Sequence, residues 1–304
     1  MERHCRTVVL CLTWAVSLAS CTPPAVRPDG AAAAGSPAQP LAVLGAFNQE
    51  VTLLQGLLTE AHWQEIEGMR FISGRIGAAP VVLAWTGVGK VNAAVTTALL
   101  LEHFQPRRVI FTGIAGGVDP NLKPGDVVIA KQTAYHDMGT LGPGGIDYGG
   151  VKNPLTSEPN PTFFPADPNL LAAAERAGQK MTFDSAGLRS GRPPKVVVGT
   201  VVTGDVFVAS KDYGAKLAET LGAGAVEMEG AAVAQVCYQR GIGCLVIRSI
   251  SDMADEGAIT DKQLFYTMAA KNSAGLVMEI VRALTRGSNG QSEHGNGATG
   301  DRQG

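Results

Sequence analysis

Three carboxylates in this chain stand where reactions are usually carried out. They are Glu50 in "FNQEV", Glu229 in "AVEMEGAAVAQVC" and Asp252 in "SISDMAD". Each follows an apolar, β-rich run, and Glu50 and Glu229 open stretches with helical spacing. At a strand-to-helix junction backbone N–H groups are free and the helix dipole favours negative charge. Taken singly, Glu50 and Glu229 also read as ordinary first-turn acids and Asp252 as a turn former. Taken together, they place three acids at strand ends on one side of one sheet. A carboxyl group held protonated and a carboxylate held ionised can divide general acid and general base work across one bond, the logic of glycoside hydrolysis.

The elements that must carry these acids follow from hydrophobic pattern. Apolar runs at residues 41–46, 81–85, 108–113, 126–130, 196–202 and 244–250 predict strands. They are continuous rather than alternating, which means a sheet covered on both faces. Residues 91–104 carry apolar side chains at helical spacing. Residues 223–229 read as a short strand and 230–241 as a helix stopping at Gly241. The expected fold class is therefore α/β, a single three-layer α/β/α domain over residues 41–286. Ligands of such sheets bind at the carboxyl ends of the strands. The glycine-rich "GIAGG" after the strand at 108–113 is not a dinucleotide fingerprint, and "TGVGKV" around Lys90 lacks the residues of a phosphate-binding loop. His136 and Asp137 read as a hydrogen-bonded structural pair, since no further ligand cluster accompanies them. No metal and no cofactor is expected.

Composition narrows the class. The chain has 304 residues, 45% hydrophobic and 17% charged, with a net charge of −2. A packed body is expected, and nothing calls for nucleic acid or an anionic membrane surface. The ends differ from that body. Arg3 and Arg6 precede a short apolar run at residues 7–18, which predicts a signal peptide over residues 1–20. "LASC" then resembles a bacterial lipobox, so Cys21 is expected to be lipidated and to anchor an exported protein by its lipid alone. Residues 21–40 read as a Pro/Ala-rich tether and 287–304 as a disordered polar tail. Cys237 and Cys244 lie in apolar runs and read as buried free thiols, although an oxidising compartment leaves pairing open.

The ordered set "LGAFNQEVTLL", "GVGKVNAA", "TGIAGG", "LKPGDVVIA", "YHD", "VTGDVFV", "AVEMEGAAVAQVC" and "IRSISDMAD" resembles the 5′-methylthioadenosine/S-adenosylhomocysteine nucleosidases of the nucleoside phosphorylase/hydrolase superfamily. The resemblance spans most of residues 41–285. It implies a mixed, partly barrel-like central sheet, a homodimer and hydrolysis of an adenine nucleoside. It gives Glu50 as the acid that activates water and Asp252 as the acid that protonates N7 of adenine. Glu229 matches the carboxylate gripping the ribose hydroxyls, which leaves Glu227 a structural role. Phe207 matches the aromatic stacked on the base, Val208 the segment binding its edge, and Met228 the residue against the ribose. Phe47, Ile114 and Arg248 complete the implied binding set. Phe163 or Phe164 of a second copy is expected to close the 5′ side.

Four features depart from the family pattern. Phe111 stands where phosphorylases carry a phosphate-binding Arg, and Ile114 where many nucleosidases carry a hydroxyl. Lys262 stands where an apolar residue faces the 5′-substituent; if it lines the pocket, a polar or anionic substituent is expected to be tolerated. The export signal is the fourth, because most relatives are cytoplasmic. The readings set against hydrolysis are a purine nucleoside phosphorylase and a non-catalytic nucleoside-binding lipoprotein.

Overall fold

A computed structural model describes residues 39–185, 188 and 192–290, all within the unit that begins at Ala38. The expected signal peptide, Cys21, most of the expected tether and the last part of the expected tail lie outside the described residues. The elements run β1 (Leu41–Gly45), α1 (Asn48–Gln55), β2 (Thr59–Ile66), β3 (Met69–Ile76), β4 (Ala79–Trp85), α2 (Lys90–Phe104), β5 (Arg108–Gly117), β6 (Val127–Tyr135), β7 (Gly139–Gly142), β8 (Gly145–Tyr148) and β9 (Phe163–Pro165). There follow α3 (Pro168–Gly178), β10 (Val196–Thr203), α4 (Lys211–Leu221), β11 (Ala223–Glu227), α5 (Gly230–Gln239), β12 (Gly243–Asp252) and α6 (Ala258–Gly290).

Five strands close on themselves. β5 pairs in parallel with β12, β12 antiparallel with β6, β6 in parallel with β10 and β10 in parallel with β11. β11 then returns to β5, with Ala225 and Val226 antiparallel to Gly117 and Gly116. Outside this ring the sheet extends through β1, β4, β3 and β2, while β9 pairs with β6. The expected α/β domain with a mixed, partly barrel-like sheet is what forms.

Alternation sorts the strand residues into two helical layers. Ala42, Leu44, Val82, Ala84, Val109 and Phe111 pack with Ala93 and Leu100 of α2 and Val233 of α5. Their neighbours Leu41, Val43, Val81, Leu83 and Ile110 pack with Leu54 of α1, Leu170 of α3 and Ile280 of α6. Both faces are covered, which is why the runs read as continuously apolar.

Two details differ from the sequence reading, the end of α6 and the place of Phe164. α6 continues to Gly290, beyond the boundary expected at residue 286. Residues 138–164 form a small β7–β8 hairpin, a bridge between Lys152 and Pro159, and β9. Phe164 is 3% exposed and packs edge-on against Tyr135 and Tyr238 of its own chain, so it is not available to a second copy. Cys237 and Cys244 are free and buried; hydrogen bonding to Cys244 and burial hold the Cys237 thiol well above its ordinary range. No described helix is long and apolar enough to cross a membrane.

Candidate active site

The three carboxylates converge at one end of the closed ring, each held by a different device. Glu50 is in the first turn of α1. It turns back to accept hydrogen bonds from the N–H groups of Ala46 (2.6 Å) and Phe47 (3.0 Å), and from Ile114 across the sheet (3.3 Å). Burial raises its pKa, opposed by the Arg248 charge and these N–H donors. Asp252 ends β12 just after a register shift. Ser251 Oγ donates to its Oδ2 at 2.7 Å and the Ala254 N–H to its Oδ1 at 3.0 Å. Ala254 presents that N–H from a left-handed conformation, φ 50°, although it is not glycine. Burial again raises the Asp252 pKa, while Ser251, Ala254 and the Lys262 charge oppose it.

Glu229 occupies the N-cap position of α5 and accepts a bond from the Gly89 N–H at 2.9 Å. Burial, then the charge of Glu227, push its pKa up to about 8 against the pull of Arg248. Glu227 has a different occupation. It accepts from the N–H groups of Glu229 (3.2 Å) and Gly230 (2.8 Å), from Thr203 Oγ1, and from Arg248 Nη2 at 2.5 Å. The open start of α5 is thus satisfied by Glu227, and its negative charge by Arg248.

Phe47, Ile114, Phe207, Val208, Met228, Glu229 and Asp252 line one cavity of about 500 Å³, counting its open mouth. Glu50 lies directly behind the lining residues Phe47 and Ile114, bonded to both backbones. Arg248, expected in the binding set, is 1% exposed and, like Glu50, stands behind the cavity wall rather than in it. Its guanidinium is committed to Glu227, stacks 4.1 Å from the Phe111 ring centroid, and comes to 3.9 Å from Glu229. It serves as the counter-charge beneath the acids. Lys262, left open in sequence, does line the cavity.

Glycines make the convergence possible. A Cβ at Gly113 would stand 2.9 Å from Glu50 Oε1 and 3.0 Å from Arg248 Nη1. A Cβ at Gly116 would stand 2.8 Å from Asp252 Oδ1. "GIAGG" is therefore a gap left for carboxylates. The discarded "TGVGKV" has an analogous use, since its Gly89 N–H serves Glu229. His136 and Asp137 are structural, but not bonded to each other. His136 Nδ1 lies 3.3 Å from the Tyr213 hydroxyl, while Asp137 receives the Lys90 ammonium at 2.8 Å and the Asp205 N–H at 2.9 Å. Among the described residues, no three metal-ligating side chains cluster.

Residues 40–282 match the phosphorylase superfamily model. The nucleosidase of Psychromonas ingrahamii, named 5′-methylthioadenosine/S-adenosylhomocysteine nucleosidase, is 37% identical over 80% of this chain and 99% of its own. The chain belongs to the 5′-methylthioadenosine/S-adenosylhomocysteine nucleosidase family. Two solved nucleosidases share its fold. That of Neisseria meningitidis, in complex with methylthio-immucillin-A, superposes with a TM-score of 0.71 at 37% identity, covering 81% of this chain and 99% of that one. That of Colwellia psychrerythraea, in complex with adenine, does so with a TM-score of 0.71 at 35% identity, covering 82% and 96%.

Within this nucleosidase frame, sequence reasoning overlooked four contacts. The Lys90–Asp137 pair and the Lys90 N–H bond to Asp205 (2.8 Å) tether the loop that carries Gly89. Ser251 beside Asp252 was visible as a polar neighbour in "SISD" and went unused. Tyr266 of α6 meets Phe47 edge-on at 5.7 Å, a long-range contact with no local signal.

Proposed function

We propose that this nucleosidase hydrolyses the N-glycosidic bond of adenine nucleosides of the 5′-methylthioadenosine and S-adenosylhomocysteine type. The observation that carries the reading is a cavity lined by Glu229 and Asp252 with Glu50 bonded to the backbones of its lining residues Phe47 and Ile114, in a chain whose relatives bear that name. In the proposed reaction the bond from C1′ to the base breaks as positive charge grows on the sugar. Asp252, whose burial favours the protonated form, passes its proton to N7, and adenine leaves neutral. Glu50 takes a proton from the attacking water, whose hydroxyl bonds to C1′. Glu229 accepts hydrogen bonds from the ribose hydroxyls, with Phe207 and Val208 against the base and Met228 against the sugar.

Phe111 favours water over phosphate. Its fully buried ring supports the Arg248 guanidinium, so neither residue offers a free cation to an anion in the cavity. The retained acids likewise favour an enzyme over a binding lipoprotein. The test is a panel of nucleosides incubated with and without phosphate, with the sugar product identified. Free thioribose at a phosphate-independent rate is expected; a sugar 1-phosphate overturns the hydrolytic reading.

We further propose an exported homodimer anchored through lipid on Cys21. The leader and "LASC" support the anchor. Exposed apolar side chains on α2 (Val91, 72%; Val95, 43%) and beyond it (Leu141, 80%) support a second copy packing there.

A further inference from the structure

A second cavity, of about 1030 Å³ with its open mouth, adjoins the first and shares Phe47, Phe207 and Lys262 with it. The rest of its wall is Gln49, Ile259, Gln263 and Tyr266. Lys262 therefore brings the only charge on this wall. Its ammonium lies 5.5 Å from the Phe47 ring centroid and 5.1 Å from that of Phe207. It forms no ion pair with any described residue. Its charge acts on Asp252 in the inner cavity, against that of Asp261, its neighbour in α6.

This arrangement leaves the charge of Lys262 unused by a plain apolar substituent. An alkylthio group laid against Phe47 and Phe207 would meet the rings but offer the ammonium over them no counter-charge. A negatively charged group would instead meet the ammonium directly, with the two glutamine amides as neutral donors beside it. Resting on the hydrolytic reading, the base and ribose fill the inner cavity, and a group on the 5′ carbon leaves it past the shared wall. We propose that Lys262 is a specificity-determining residue: the outer cavity is a subsite for a 5′-extension ending in a carboxylate, and Lys262 binds that carboxylate.

The matched probes are 5′-S-(2-carboxyethyl)-5′-thioadenosine and its carboxamide, which have nearly the same shape and differ in charge. On the wild type the acid is expected to exceed the amide in kcat/KM by roughly fivefold to tenfold at low salt, the scale of a partly exposed ion pair. High salt should bring the ratio toward one. Lys262→Met should abolish the preference and Lys262→Arg keep it. The ratio is the readout because removing the Lys262 charge also acts on Asp252, which changes both rates together. Equal rates for the pair on the wild type, or a preference that survives in Lys262→Met, would overturn the inference. If Lys262→Met does not fold, Lys262→Gln and the salt dependence of the wild type read the same quantity. If neither probe is hydrolysed, the hydrolytic reading fails, while calorimetric affinities for the same pair still decide on Lys262: a preference for the acid supports the subsite and equal affinities sink it.

Discussion

At the scale of residues, the site is an arrangement of four acids, three of them acted on by one arginine. Arg248 neutralises Glu227 and tempers Glu229 and Glu50, and burial drives Glu50, Glu229 and Asp252 upward in pKa. Two of these acids, Asp252 and Glu50, have proposed proton transfers. Asp252→Asn should lower kcat by about two to four orders of magnitude, the scale of general acid–base catalysis. Glu50→Gln should do the same while leaving inhibitor affinity within a few fold. Steady-state rates with inhibitor titration check both, and near-normal turnover removes the residue from the mechanism. Glu229 also sets a pH dependence. Its folded pKa, about 8, lies above the ordinary 4.5, so the folded state holds a proton that the unfolded chain releases. Its contribution to stability is full below the lower value and is lost as pH rises through the upper one. The ligand-free protein should therefore melt at falling temperature from about pH 5 to pH 8, and Glu229→Gln should flatten that decline in a thermal scan. Sequence disclosed these acids because each closes an apolar run. It could not disclose Arg248's direction, since an arginine inside "CLVIRSI" can face either layer, and only Glu227 across the ring shows which.

At the scale of elements, β5 matters most, because its glycine-rich end is where side chains from α1 and β12 meet. Gly113→Ala would drive a methyl group into the Glu50 carboxylate and the Arg248 guanidinium, neither of which is a free side-chain end. Overpacking of this kind costs about 1–3 kcal/mol. The expected outcome is a lower Tm together with at least a tenfold loss of kcat/KM, since Glu50 is the group displaced. A lower Tm with unchanged kcat/KM would show that Glu50 does not need its present position. The central strands were legible because burial on both faces makes them continuously apolar. The β2–β3 hairpin was not, because β2 is exposed along nearly its whole length and offers no apolar run. Its turn did leave a signal: Glu67 and Gly68 both take positive φ, 49° and 77°, the demand of a tight hairpin that a glycine in second place meets.

At the scale of the whole molecule, the catalytic body and its address are separate matters. Cys21→Ser should abolish incorporation of a labelled fatty acid in a bacterial host and release the domain from the membrane fraction, while kcat/KM of the purified domain stays the same. Label retained in the variant, or its absence from the wild type, would overturn the anchor. The body carries a further consequence in its closed ring. β5 must find β11 and β12, which are made much later along the chain, and the pairing of Gly116 with Val226 is the stitch that completes the circle. Nucleation on such distant partners is slow, because the intervening chain must be gathered before any contact rewards it. The same stitch lies beside Asp252 and Glu227, so a chain caught with the circle open would hold its helices and outer strands yet lack a place to bind adenine. On a ribosome the ring cannot close before β12 has emerged, and a copy exported unfolded would have to repeat that entire search on the far side.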